Sequence, residues 1–112
     1  TLLVTNRYIK EDPSMRSQAM FPMLRVKDMN KPYAAFLLEN DPDNVLERQA
    51  ELFDSGRFIV RTRADAFGSA QTDVRETALR CGAQLLSTDY PPGFAYDSAE
   101  PFSFDGKTMT RA

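Results

Sequence analysis

The chain has 112 residues, with 14 Lys+Arg against 16 Asp+Glu, no histidine, one cysteine and a hydrophobic content of 42%. That is enough apolar material to pack one domain, and the balanced, interspersed charge offers no basic face for nucleic acid or for an anionic membrane surface. No apolar run approaches the ~20 residues of a membrane-spanning helix, Cys81 alone excludes an intrachain disulfide, and a mechanism that needs imidazole is incomplete within these residues.

The chain opens Thr1-Leu2-Leu3-Val4-Thr5-Asn6, with no initiator Met and an apolar run from the second residue. This reads as a strand at 2–4 entered in mid-protein, so a fragment is expected; an amino-terminal edge strand is the alternative. A second strand is expected at 19–24, weakened by Pro22, which cannot donate to a ladder. Asn30-Lys31-Pro32 looks like a helix start, and a short helix is expected through Leu38.

The clearest signal lies between Asp41 and Asp89. Asp43 is expected to cap a helix that opens after Pro42, with Val45, Leu46, Gln49, Leu52 and Phe53 on one face and Gly56 as its left-handed stop. Arg57-Phe58-Ile59-Val60-Arg61-Thr62-Arg63 is aromatic and β-branched and reads as a strand. A second helix fits 72–81, with Thr72 as cap, Asp73 in the first turn and Gly82 as terminator. Gln84-Leu85-Leu86-Ser87-Thr88 is the next strand, and Tyr90-Pro91-Pro92-Gly93 a turn. The helix-strand pair from Phe53 to Val60 echoes the pair from Leu79 to Leu86 at an offset of 26 residues, the spacing of successive units in a parallel α/β protein. Residues 92–112 carry Pro101, Phe102 and Phe104 without a clear period and are expected to pack as an irregular tail across the domain.

Ligands of parallel α/β folds bind at the carboxyl ends of the strands. The polar residues there are Asn6 and Arg7, Arg25 and Lys27, then Arg61, Arg63 and Asp65, then Ser87, Thr88, Asp89 and Tyr90. Alternation puts Arg61, Arg63 and Asp65 on one face if the strand continues that far. Two guanidinium forks match phosphate or carboxylate oxygens, while an Arg-Asp ion pair that braces the rim is the alternative. For Asp89 the readings are holding an arginine in place, binding a metal and capping the turn at Pro91-Pro92-Gly93, of which capping is expected. Asn40-Asp41-Pro42-Asp43 is a helix start rather than a calcium loop, since it lacks the spacing and glycine of one. Cys81 reads as a buried structural thiol.

Several of these strings together, with their order and spacing, carry a resemblance. Ala34-Ala35-Phe36, Asn40-Asp41-Pro42, the run from Gly56 through Val60-Arg61-Thr62-Arg63-Ala64-Asp65-Ala66, and Gly82-Ala83-Gln84-Leu85-Leu86-Ser87-Thr88-Asp89-Tyr90-Pro91 resemble the carboxyl-terminal part of the bacterial calcium-dependent phosphoinositide-specific phospholipase C-like family, of the PLC-like phosphodiesterase superfamily. Leu3-Val4-Thr5-Asn6, and Tyr8 through Asp12-Pro13-Ser14-Met15-Arg16 to Met20-Phe21, resemble its preceding strand, loop and strand more loosely.

The resemblance implies an α/β fold, the C-terminal half of a (β/α)8 TIM-type barrel with about four parallel strands, since a whole barrel takes roughly 250 residues. It implies a secreted phosphoric diester hydrolase that uses two histidines for acid/base work and Ca2+ to stabilise phosphate charge, with a phosphodiester or phosphoinositide-like substrate. The histidines and most calcium ligands of the family fall in an N-terminal half that this chain lacks, so no catalytic residue is assigned here. Arg61, Arg63, Asp65, Ser87, Thr88, Asp89 and Tyr90 remain as candidates for phosphate or head-group contact. The family's Gly-His before Pro13-Ser14 is replaced by Glu11-Asp12. A non-catalytic barrel acting in binding or structure is the alternative.

Overall fold

A computed structural model describes residues 24–104, together with Arg7, Ile9, Lys10 and Pro22. The strand expected at 2–4 and most of the one expected at 19–24 lie outside these residues, and Pro22 is not in a strand. The described elements are β1 (Leu24–Arg25), a 3-10 turn (Val26–Asp28), β2 (Phe36–Leu38), α1 (Pro42–Glu47), α2 (Gln49–Phe53), β3 (Ile59–Arg63), α3 (Thr72–Arg80) and β4 (Leu85–Ser87). The four strands form one sheet in the order β1-β2-β3-β4, and every neighbouring pair is parallel. Parallel strands in sequence order, joined through helices, are the arrangement of half a (β/α)8 barrel.

The helix expected at 32–38 is overturned. Lys31, Pro32 and Tyr33 make a bend and a turn, closed by Ala34 N donating to Lys31 O at 3.0 Å, and Phe36-Leu37-Leu38 is β2. An apolar run without alternation is also how a parallel strand with both faces engaged reads, and the tertiary structure chose that form. Leu37 is opposite Val60 in register and both are buried.

The helix after Asn40 starts one cap earlier than expected. Asp41 is the N-cap, its Oδ1 accepting from Asp43 N at 3.0 Å, and Pro42 takes the first helical position, where its missing N–H costs nothing. The helix breaks at Arg48, whose φ of -114° and ψ of 21° leave the helical region, so two short helices replace one. Thr72 is likewise helical rather than capping; Gln71 precedes it in extended conformation and makes no side-chain cap. Gly82 has φ +88°, and a Cβ there would stand 3.1 Å from Phe53 Cε2, so both the left-handed stop and the close approach of α2 require glycine.

One face of the sheet is packed. Leu37, Val45, Leu52, Phe58, Val60 and Cys81 form the main cluster under the helices, and Ala64, Ala78 and Phe102 a second one. Gln49 Nε2 donates to Arg80 O at 3.1 Å and ties α2 to the end of α3. Below the first paired residues of β3 and β4, Gln84 replaces strand pairing with its side chain, accepting from Val60 N at 2.8 Å and donating to Phe58 O at 3.1 Å. The Cys81 thiol sits in this core, its Sγ 3.3 Å from Ala78 O, and burial pushes its pKa up.

Candidate functional site

Along β3, Val60 and Thr62 are buried against the helices, so the intervening Ile59, Arg61 and Arg63 project from the opposite face. The parallel register then builds rows across the sheet. Arg25, Leu38, Arg61 and Leu85 occupy one row, and Arg63 and Ser87 the next toward the carboxyl ends. Three arginines thus share one sheet face, brought there from β1 and β3.

Arg61 is braced on both sides. Its Nη1 donates to Asn40 Oδ1 at 2.7 Å and its Nη2 to the Ser87 hydroxyl, so one guanidinium links the carboxyl ends of β2 and β4 across β3. Burial, and then the positive charges of Arg63 and Arg25, push its pKa below the ordinary value, with Asp89 pulling the other way. Both of its direct partners are neutral, which leaves its charge available to an anion. Arg63 is half-buried and, among the described residues, forms no side-chain hydrogen bond or ion pair.

Asp65 departs from the expected alternation. The strand ends at Arg63, Ala64 and Asp65 are both buried, and the carboxylate turns away from the two arginines. It accepts from Arg75 Nε at 3.0 Å and from Asp89 N at 2.8 Å, and the Thr88 hydroxyl donates to it from 2.8 Å and 2.9 Å of its two oxygens. Arg75 Nη2 lies 2.9 Å from the same carboxylate as an ion pair, without hydrogen-bond alignment. A carboxylate with this many donors is a satisfied structural anion.

Tyr90 and Asp89 also differ from expectation. The Tyr90 ring is fully buried, its hydroxyl accepting from Gly68 N at 2.8 Å, and its backbone N donates to Thr88 Oγ1 at 2.9 Å. Asp89 does not cap the proline turn; its Oδ2 accepts from Phe67 N at 2.7 Å and latches the loop that leaves β3. The seven candidates therefore divide. Arg61, Arg63 and Ser87 lie on the open sheet face, whereas Asp65, Thr88, Asp89 and Tyr90 hold the two rim loops together.

Arg75 escaped the sequence reading. It is the hub of the second group, bonded to Asp65, donating Nη1 to Glu100 O at 2.8 Å, and lying 5.6 Å from the ring centroids of both Tyr90 and Phe102. A cation in the opening turn of a helix opposes the dipole, and that misfit is the signal of a carboxylate waiting beyond the helix end. Asn40 had no such signal, because its partner is 21 residues away.

The family model for Ca2+-dependent phosphoinositide phospholipase C matches residues 3–111. The chain belongs to that family. Comparison with curated proteins and with solved structures gives no match. The family's name implies calcium, so the donors of this phospholipase C-family chain bear on whether it holds the ion. Among the described residues no group of three or more His, Cys, Asp or Glu side chains is placed to hold a metal. Asp65 is committed to Arg75, and Asp41 and Glu39 accept from backbone N–H groups. These residues do not fit a calcium site. No helix of the described residues is long and apolar enough to cross a membrane.

Proposed function

We propose that this protein works as part of a phosphoric diester hydrolase of the phosphatidylinositol phospholipase C type, and that this chain supplies strand ends which bind the phosphate and head group. The observation that carries the reading is the pair of guanidiniums on Arg61 and Arg63, on one face of a parallel strand at its carboxyl end. Forked N–H donors match a phosphodiester's two free oxygens, and fixed positive charge lowers the energy of the extra charge that develops on those oxygens in the transition state. Ser87 holds Arg61 in place. Thr88, Asp89, Asp65 and Tyr90 support the rim from behind and make the contact possible without making it themselves.

The chain has no histidine, so the acid and base of the reaction come from elsewhere in the full-length protein, in the upstream half of the barrel, together with the calcium ligands. A secreted location is part of the same proposal. The absence of imidazole also favours a second reading, a barrel of this family that binds phosphoinositide without cleaving it. Calcium-dependent release of inositol phosphate from phosphatidylinositol by the full-length protein supports the first reading. Binding of the lipid with no turnover, or upstream sequence without a histidine pair at strand ends, leaves only the second.

A further inference from the structure

Arg61 is held by Asn40 and Ser87, and neither partner carries a charge. Arg75 and Arg48, which brace the structure, are held otherwise: Arg75 is paired with the Asp65 carboxylate and Arg48 with that of Glu51. A carboxylate bonds a guanidinium roughly twice as strongly as a neutral oxygen does, so strength alone would favour an acid at either partner of Arg61.

Two acids stand one residue away. The segment after β2 reads Glu39-Asn40-Asp41, and both flanking carboxylates are turned onto the backbone. Glu39 Oε1 accepts from Asp41 N at 3.1 Å, and Asp41 Oδ1 accepts from Asp43 N at 3.0 Å as the cap of α1. Asn40 lies two residues beyond Leu38, the register partner of Arg61, and Glu39 N donates to Arg61 O at 3.0 Å. Strand pairing thus delivers residue 40 beside the Arg61 side chain, where its Oδ1 accepts from Nη1 at 2.7 Å. A guanidinium only donates, so the amide oxygen is the atom that must face it.

The fork is tethered at both Nη atoms and still has donors to offer. Of the five N–H groups of a guanidinium, these bonds take two, and the others are uncommitted among the described residues. Burial, and then the charges of Arg63 and Arg25, make the charged state of Arg61 costlier. An incoming anion relieves that cost, which a resident carboxylate would already have relieved.

We propose that Asn40 is a positioning residue of the phosphate site, one that fixes the Arg61 fork while leaving its positive charge uncancelled for a phosphate-bearing head group. This rests on reading Arg61 as a phosphate contact. A brace needed only for stability would be improved by a carboxylate at this position, whereas a brace that serves an anion site would be spoiled by one.

The experiment sets Asn40→Asp beside Asn40→Ala in the full-length protein, with thermal unfolding and calorimetric titration of inositol 1-phosphate as paired readouts. Asn40→Asp keeps the shape and strengthens the bond, so its melting temperature is expected to hold or rise while its affinity falls at least about tenfold. Asn40→Ala keeps the charge but frees the fork, so its melting temperature is expected to fall and its affinity to drop by a smaller factor, about threefold. Stability and affinity therefore rank the two variants in opposite orders. The same order in both readouts, or an Asn40→Asp variant that binds as tightly as the unaltered protein, would overturn the proposal. Should Asn40→Asp not fold, unchanged affinity in Asn40→Ala overturns it alone. Failure of the unaltered protein to bind inositol 1-phosphate sinks the head-group reading and this role together; binding that Asn40→Asp leaves intact sinks only the role of Asn40.

Discussion

Arg75 donates to Asp65 across 3.0 Å, from the opening turn of α3 to a carboxylate whose side chain is wholly withdrawn from solvent. Two further donors, the Thr88 hydroxyl and Asp89 N, complete the carboxylate, and Asp89 in turn holds Phe67. The rim is therefore assembled around a buried anion whose donors come from α3 and from the loop after β4. Asp65→Ala leaves Arg75 buried without its counter-charge and is expected to cost roughly 3–5 kcal/mol in urea unfolding. Asp65→Ala combined with Arg75→Met should cost clearly less than the two single changes added together; additive costs would mean the pair does not interact as the geometry says.

The two arginines of β3 should separate by readout. Arg63 has no bond to lose among the described residues, so Arg63→Ala is expected to weaken binding of inositol 1-phosphate by about tenfold or more while the melting temperature holds. Arg61→Ala should lower both, because Asn40 and Ser87 lose their common donor. Calorimetric titration beside thermal unfolding distinguishes the two patterns, and equal losses of stability would refute the division.

Cys81 supplies a pH dependence with a definite sign. Burial raises its pKa above the ordinary 9.0, so the folded thiol keeps its proton where the unfolded one gives it up. The unfolded state then binds fewer protons, and the stability tied to this group is full below about pH 9 and falls as pH rises beyond it, by at most about 1.4 kcal/mol per pH unit. Unfolding free energies of the protein and of Cys81→Ala, compared on either side of this pH, should diverge in slope only on the alkaline side.

Thr62 gives the opposite kind of test. It is fully buried and its Oγ1 has no hydrogen-bond partner among the described residues. Thr62→Val removes an unsatisfied hydroxyl and keeps the shape, and a gain of about 1 kcal/mol is expected on chemical denaturation; a loss of similar size would reveal a partner for the hydroxyl.

Gly82 is held by two constraints at once. A side chain there meets both the left-handed φ of +88° and the ring of Phe53, so Gly82→Ala should destabilise by about 1–3 kcal/mol. Gly56 shares the sign of φ at +64° but faces open space, and Gly56→Ala should cost less in the same thermal melts.

Local chemistry made much of this molecule legible in advance. The β-branched run of β3, the presence of a helix at Pro42, though not its cap, and the glycine stops were readable because caps, turns and strand alternation act over a few residues, and the strings that betray the family are themselves local. Phe36-Leu37-Leu38 was not readable: a short apolar run satisfies helix and strand alike, and only the place open beside Val60 made it β2. The same limit applied at the rim. Sequence alternation placed Arg61, Arg63 and Asp65 together, but the strand stopped at Arg63, and Asp65 found Arg75, Thr88 and the Asp89 amide behind the sheet. A buried carboxylate must collect donors wherever the fold supplies them, and which donors come within reach is decided by how α3 and β4 pack, over separations of 10 to 24 residues.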